Sequence, residues 1–123
     1  MKITAFNPLI VTKDSKSAVE LFEELGFEKR HTKTGINDKD ITNFDLKDEN
    51  GFRVDVAQVD NMPQDLTAIR MTVDNFDEAY EFLISRGFKN SQGDKITDTG
   101  TSKATLMISP SGFGISLAQH IKK

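Results

Sequence analysis

The stretch Asp14–Phe27, DSKSAVELFEELGF, has a counterpart 61 residues later in Asn75–Phe88, NFDEAYEFLISRGF (75 − 14 = 61). Asp14 and Asn75 are favourable N-cap residues, and a glycine before each closing phenylalanine is suited to end a helix. In both copies the apolar residues recur at i, i+3, i+4 and i+7, which is one face of an α-helix: Ala18, Leu21, Phe22 and Leu25, then Phe76, Ala79, Tyr80 and Leu83. The sequence therefore predicts two amphipathic helices, over residues 14–25 and 75–86.

The same offset continues outside the helices. Gly51-Phe52 corresponds to Gly112-Phe113, and the strand-like VDVAQ of residues 54–58 corresponds to ISLAQ of residues 115–119. A constant offset across helix, turn and strand predicts an internal repeat. We expect a single domain over residues 1–123, with module 1 at 1–60, a linker at 61–65 and module 2 at 66–123. Each module reads as strand, helix and three strands, so the predicted class is α+β with two tandem βαβββ modules.

Composition limits the classes of function. The 123 residues include no cysteine, which excludes disulfides, a thiol nucleophile and thiolate metal sites. A net charge of −3 with scattered basic residues argues against a nucleic-acid surface. No apolar run approaches the roughly 20 residues of a membrane span, and the amino terminus does not resemble a signal peptide. We expect a cytoplasmic protein that has a small-molecule ligand and no nucleic-acid or membrane partner.

Strand alternation indicates which residues face away from the helices. The first strand is predicted at Ile3–Thr12, and polar loops are predicted at residues 34–40 and 90–103. Because side chains alternate between the two faces of a sheet, one face gathers small and polar residues. That face is expected to be open to water and to line a cleft; its residues include Asn7, Arg53, Asp55, Ala68, Arg70, Thr72, Gly114 and Ser116.

With these features the chain resembles the vicinal oxygen chelate superfamily, which includes glyoxalase I, bleomycin-resistance proteins and extradiol dioxygenases. The resemblance rests on the paired modules, on Val73-Asp74 before the second helix, on Gly-Phe after each helix, and on the Ser-Pro-Ser-Gly turn at residues 109–112. It covers nearly the whole chain. It implies two curved mixed sheets around a cleft, and frequent completion of that cleft by dimerisation.

The resemblance also implies where metal-dependent relatives would place their ligands. The corresponding positions are Asn7, Asp55, Ala68 and Ser116, and all four are predicted to face away from the helices. Only Asp55 is a competent ligand for a divalent cation, whereas a catalytic metal needs about three protein ligands. We therefore expect no metal at this position and no other cofactor.

Several residues are candidates for a ligand site. Asp55 and Arg70 are expected on one cleft floor, where Arg70 binds an acidic group and Asp55 orients a hydroxyl or acts as a base; a structural ion pair is the other interpretation. Arg53 joins either arrangement or is a solvated edge charge. His31 is a candidate general base or an ordinary half-exposed strand histidine. Hydrogen bonds to a ligand are expected from Asn7 and Ser116, unless these residues only replace lost metal ligands.

The leading hypothesis is a metal-independent small-molecule-binding protein similar to the bleomycin-resistance branch. Its ligand-binding residues would be Asn7, Arg53, Asp55, Arg70 and Ser116. The alternative is an enzyme of the lyase, isomerase or dioxygenase type with an atypical site centred on Asp55, for which Asp55 and His31 are the catalytic candidates. A third class is an interaction module with a vestigial cleft. Small modules and open sheet edges favour a homodimer.

Overall fold

A computed structural model of the chain describes residues 1–33 and 42–121, so the loop predicted at 34–40 lies outside the described residues. The chain divides into two compact units, called here unit I (Asn7–Thr67) and unit II (Met1–Phe6 with Ala68–Lys123). The sequence repeat instead assigns residues 1–6 to module 1. That assignment, the linker at 61–65 and the single domain stay predictions.

The strands and helices follow the predicted order. They are β1 (Ile3–Thr12), α1 (Ser15–Glu24), β2 (Glu28–Lys33), β3 (Thr42–Lys47), β4 (Arg53–Gln58), β5 (Leu66–Val73), α2 (Phe76–Ser85), β6 (Lys89–Asn90), β7 (Thr97–Asp98), β8 (Ser102–Ile108) and β9 (Gly114–His120). The predicted α+β class is confirmed. One strand was not predicted: β7 and the start of β8 occupy part of the stretch expected to be a loop. A two-residue strand is too short to show a period of two, so sequence alternation cannot reveal it.

In unit I the strand order is β2-β3-β4-β1. The pairs β2–β3 and β3–β4 are antiparallel, and the second half of β1 pairs parallel to β4, with Leu9 opposite Asp55. Helix α1 covers one face of these strands, where Val19 packs with Leu46, Val54 and Val56 in a buried apolar cluster. The opposite face therefore carries the alternate residues of each strand.

In unit II the strand order is β5-β9-β8-β6, and β7 also pairs with β8. The first half of β1 lies beside β5, where Thr4 Oγ1 donates to the carbonyl of Thr72 at 3.3 Å and the Asp74 amide donates to the carbonyl of Lys2 at 3.1 Å. These bonds explain why residues 1–6 belong to this unit. Helix α2 covers a cluster that joins its own apolar stripe to three strands: Met71, Val73, Phe76, Ala79, Leu83, Met107 and Leu117.

The strand pairing in the two units has the same register. In unit I Leu9 is opposite Asp55 and Asp55 is opposite Asp45; in unit II Arg70 is opposite Ser116 and Ser116 is opposite Leu106. Each residue of the second set has the number of its counterpart plus 61. Any position in one unit can therefore be compared with the position that has the same pairing in the other.

Both helices begin and end as the sequence predicts. Asp14 caps α1 by accepting from the Ser17 amide at 3.2 Å, and Asn75 caps α2 by accepting from the Glu78 amide at 3.1 Å. After each helix the glycine has a positive φ, +106° at Gly26 and +89° at Gly87, and that conformation is unfavourable for residues with a Cβ. The chain can therefore turn directly into the following phenylalanine.

A glutamine at the end of the last strand in each unit holds the start of the helix. Gln58 Oε1 accepts from the Ser15 amide at 2.8 Å, and its Nε2 donates to the Lys13 carbonyl at 2.7 Å. In unit II, Gln119 makes the same two bonds, to the Phe76 amide at 2.8 Å and the Asp74 carbonyl at 2.9 Å. These bonds supply partners to backbone groups that the helix itself leaves unsatisfied, and they explain why a glutamine stands at both positions.

Candidate functional site

The candidate site of unit I is the sheet face that α1 does not cover, called here the helix-free face. Val54 and Val56 contact the helix-covered cluster, so the alternate residues of β4 point the other way. The same alternation on β1 and β3 defines the rest of the face. It consists of Asn7, Leu9, Val11, Asn43, Asp45, Lys47, Arg53, Asp55 and Ala57.

Asp55 lies in the middle of this face and is 6% exposed. Its direct neighbours across the strands are Leu9 on β1 and Asp45 on β3. Side chains that are directly opposite on one face have Cβ atoms about 4.5–5.5 Å apart, so two carboxylate side chains start from adjacent positions. Asp45 is half-buried and accepts a hydrogen bond from Asn43 Nδ2 at 3.0 Å.

Two buried amide side chains extend the polar character of the face. Asn43 is 8% exposed and Asn7 is 6% exposed. The Nδ2 atom of Asn7 donates to the Pro8 carbonyl at 3.0 Å, which fixes the amide beside its own strand. The prediction that this face is open to water is wrong at Asn7 and Asp55, because both positions are buried.

Two further candidate residues, Arg53 and His31, lie on β4 and β2. Arg53 is exposed at the start of β4, and its direct neighbour is Lys47 on β3. On β2, the backbone of His31 pairs with that of Asp45 on β3, and the register shifts between Lys29 and His31. The His31 side chain lies outside the described part of the chain, so its predicted catalytic role stays a prediction.

In unit II, Arg70 and Ser116 are direct neighbours on β5 and β9. Arg70 is half-buried, and Ser116 is 8% exposed with Leu106 opposite it on β8. Ala68 is also buried, at 4% exposure, so the expected wet surface is wrong here too. The physical reason is apolar packing: a Cβ added at Gly114 would lie 3.0 Å from a methyl group of Leu106 and 3.5 Å from Ala68.

The two units differ in chemistry at five equivalent positions on their helix-free faces. Where unit I has Asn7, Asn43 and Asp45, unit II has Ala68, Ala104 and Leu106. Where unit I has Lys47 and Arg53, unit II has Ile108 and Gly114. At these five positions the same strand pairing accommodates small or apolar residues in unit II and polar residues in unit I.

The sequence-predicted residues are divided between the units. Asn7, Arg53 and Asp55 belong to unit I, and Arg70 and Ser116 belong to unit II. The expectation that Asp55 and Arg70 share one cleft floor stays a prediction. Sequence reasoning missed three polar residues of β3, although the alternation in TNFDLK, with Phe44 and Leu46 on the apolar side, could have revealed them: Asn43, Asp45 and Lys47.

The donor atoms fit a transition metal poorly. Of the four positions that correspond to metal ligands, Asn7, Asp55, Ala68 and Ser116, only one supplies a carboxylate and none supplies an imidazole. Within residues 1–33 and 42–121, no group of three or more His, Cys, Asp or Glu side chains is placed to hold a metal ion.

No protein-family model matches the chain, and no curated protein matches its sequence. Solved structures with similar folds include methylmalonyl-CoA epimerase from Mycobacterium tuberculosis, with 15% identity, a TM-score of 0.74, and coverage of 98% of this chain and 90% of that one. Glyoxalase I from Zea mays has 14% identity and a TM-score of 0.68, and the match covers 98% of this chain but 44% of that one. A glyoxalase/bleomycin resistance protein/dioxygenase superfamily member from Vibrio splendidus has 14% identity and a TM-score of 0.63, with coverage of 96% and 99%.

These similarities define the class of the fold. The chain has the fold of the glyoxalase/bleomycin resistance/dioxygenase proteins, which is the vicinal oxygen chelate fold. The resemblance predicted from the sequence is confirmed at the level of fold. Among the helices that the structure describes, none has the length and apolar character needed to cross a membrane.

Proposed function

We propose that the chain is a small-molecule-binding protein of the vicinal oxygen chelate superfamily, similar to its glyoxalase and bleomycin-resistance members, and that it binds its ligand without a metal. Two groups of residues would contact the ligand. Unit I contributes Asn7, Arg53 and Asp55, and unit II contributes Arg70 and Ser116.

The observation that carries this proposal is the polar helix-free face of unit I. Unit II forms the same strand pairs with Ala104 and Leu106 where unit I has Asn43 and Asp45. Polar side chains are therefore not needed at these two positions to form the strand pairs. Asp55 and Asp45 lie side by side on this face, and their carboxylates offer acceptors to a ligand that donates hydrogen bonds.

The chemistry of the proposed residues defines a ligand class. An ionised Asp55 can only accept hydrogen bonds, so it would receive one from a hydroxyl or amine of the ligand. Arg70 has a planar guanidinium that can bind a carboxylate through two hydrogen bonds. We therefore propose an acidic ligand with at least one hydrogen-bond donor. On this proposal, Arg70 supplies the positive charge that a metal ion supplies in metal-dependent members.

An enzyme is the second candidate, and the Asp45–Asp55 pair favours it. Two adjacent carboxyl groups in different surroundings can act as general acid and general base. Asp55 is buried and Asp45 is half-exposed, so their environments differ. This alternative is a lyase, isomerase or dioxygenase whose site is centred on Asp55, with His31 as a further candidate base.

Three other features belong to the proposal. The common offset of 61 residues in strand pairing supports an internal repeat. A homodimer is supported by large exposed apolar side chains, among them Phe6, Leu25 and Phe52, which are 61%, 65% and 66% exposed. Sedimentation that gives only monomer at high micromolar concentration would contradict the dimer. A cytoplasmic location rests on composition alone.

A thermal-shift screen against a library of acidic small molecules tests the binding function. A ligand that binds only the folded state raises the melting temperature by mass action. Wild type is compared with Asp55→Asn and with Asp65→Asn, an exposed control that changes charge equally. We expect shifts that Asp55→Asn reduces and Asp65→Asn preserves. Equal shifts in all three proteins would contradict the proposed site.

Metal analysis of protein purified without chelators separates the two candidate functions. We expect substoichiometric transition metal, because three of the four corresponding ligand positions lack a carboxylate or imidazole. Stoichiometric metal that is lost in Asp55→Asn would instead support the enzyme.

A further inference from the structure

Lys47 and Arg53 form a pair of like charges on the helix-free face of unit I. They are direct neighbours in the β3–β4 register, beside the turn that joins these strands. Like charges directly opposite each other on a sheet are destabilising. Lys47 is half-buried and Arg53 is exposed, so both can be reached from solvent.

The carboxylates near this pair are engaged elsewhere. Glu28 is opposite Lys47 on β2, yet its Oε2 lies 3.6 Å from Arg30 Nη2. Asp48 Oδ1 accepts from the backbone amides of Asn50 and Phe52, at 3.0 and 2.8 Å, and so holds the turn. Among the residues that the structure describes, no carboxylate oxygen lies within 4.0 Å of the charged nitrogens of Lys47 or Arg53.

The hairpin itself does not need two cations. Unit II forms the equivalent pair from Ile108 and Gly114, in the same register and beside a turn closed in the same way. In both turns the fourth residue donates its amide to the carbonyl of the first, Gly51 to Asp48 and Gly112 to Ser109. Lys47 and Arg53 are therefore a feature of unit I alone.

We propose that Lys47 and Arg53 form a subsite for a phosphate group of the ligand. The two charges match a phosphate dianion better than a single carboxylate, since the guanidinium offers a two-pronged donor set and the ammonium a movable point charge. A bound dianion also relieves the repulsion between the two cations. This inference rests on the proposed binding function, and it adds Lys47 to the residues that contact the ligand.

The position of the subsite restricts the rest of the ligand. Asp45 and Asp55 form the next row on the same face, two residues along each strand. At about 3.4 Å per residue, the two rows are about 7 Å apart. The ligand class is therefore a hydroxylated phosphate ester, whose hydroxyl groups reach Asp55 while its phosphate lies between Lys47 and Arg53.

Inorganic phosphate is the probe for this subsite. Amide and guanidinium NMR signals are followed during titration at constant ionic strength, for wild type, Lys47→Gln and Arg53→Gln. Lys16→Gln is the matched control, since that lysine lies on α1 in the same unit with a side chain 87% exposed. We expect saturable shifts near residues 47 and 53. Either variant should weaken the affinity for phosphate by at least about tenfold, and the control should leave that affinity unchanged.

Shifts that do not saturate, or that are equal in the subsite variants and the control, would overturn the subsite. Asp55→Asn separates this failure from that of the proposed function. If wild type showed no saturable response to phosphate but bound a library ligand that Asp55→Asn fails to bind, only the subsite would be refuted. A phosphate response that depends on Lys47 and Arg53, with no library ligand sensitive to Asp55, would support the subsite and refute the proposed contact at Asp55.

Discussion

Asp45 and Asp55 are directly opposite each other on the helix-free face of unit I, whereas the equivalent pair in unit II is Leu106 and Ser116. Placing two carboxylates side by side is unfavourable for folding. A binding surface is commonly less stable than a surface chosen only for packing, because its polar groups are arranged for a ligand. At this pair we therefore expect that a substitution can raise the stability of the fold while it weakens ligand binding.

Asp45→Asn should stabilise the fold. The substitution removes one of two adjacent negative charges, while its amide oxygen can still accept from Asn43 Nδ2. We expect a gain of about 0.2–1 kcal/mol in the free energy of unfolding, larger at low salt. Urea denaturation at two salt concentrations measures it. Destabilisation that grows at low salt would mean that Asp45 makes a favourable charge contact.

The glutamine that holds each helix should be needed for stability. Gln58→Leu leaves the Ser15 amide and the Lys13 carbonyl without their side-chain partner, and Gln119→Leu does the same in unit II. Each change should lower the free energy of unfolding by about 1–3 kcal/mol. Gln→Glu keeps the acceptor and loses the donor, so it should lie between wild type and leucine. If Gln→Leu were neutral at both sites, water would replace the glutamine without loss.

The sequence revealed these glutamines but not their role. The segments at 54–58 and 115–119 both end in Ala-Gln, so the sequence repeat alone identifies the two glutamines as equivalent. The hydrogen bonds depend on where the end of a strand meets the start of a helix, and that meeting is a tertiary contact. Helix periodicity and capping are local, and for this reason the limits of α1 and α2 were predictable.

The N-caps of the two helices should give different responses to acid. Ser17 donates its hydroxyl to Asp14 at 2.8 Å and its amide at 3.2 Å, and these bonds lower the pKa of Asp14 below its ordinary value of 3.8. A lowered folded-state pKa means that the carboxylate stabilises the fold above pH 3.8, and that this contribution is lost as the pH falls through the lower, folded-state pKa.

Asp14→Asn should remove this part of the acid dependence. Unfolding free energies measured from neutral pH down to about pH 2 should show a shallower acid limb for the variant. Asn75 caps α2 with an amide that does not titrate, so Asn75→Asp is the converse test and should add acid dependence. Identical acid limbs in wild type and Asp14→Asn would contradict the assigned role of the Ser17 bonds.

Gly114→Ala should destabilise unit II. The added methyl group would lie 3.0 Å from Leu106 Cδ1 and 3.5 Å from Ala68 Cβ, which is tighter than normal packing on the first contact. Overpacking of this kind costs about 1–3 kcal/mol. Thermal unfolding of Gly114→Ala, Leu106→Ala and the double variant measures the clash. The double variant should be more stable than the sum of the two single losses predicts, and strict additivity would show that Leu106 moves aside freely.

Sequence alternation predicted the chemistry of the helix-free faces better than their exposure. It placed Asp55 and Ser116 away from the helices, because a period of two is local information. It could not show that both are buried, since burial depends on chain segments far away in sequence. Alternation around Phe44 and Leu46 also places Asp45 away from the helices, but its position opposite Asp55 depends on the register of β3 and β4, which is a tertiary contact.

The most direct test of the proposed function is calorimetric titration of the best ligand from the screen into four proteins: wild type, Asp55→Asn, Arg70→Ala and Asp65→Asn. Loss of one charge-assisted hydrogen bond at Asp55 should weaken binding by about tenfold or more. Arg70→Ala should abolish detectable binding of an acidic ligand, and Asp65→Asn should bind as wild type does. Melting temperatures without ligand control for folding. Wild-type affinity in both Asp55→Asn and Arg70→Ala would contradict the account.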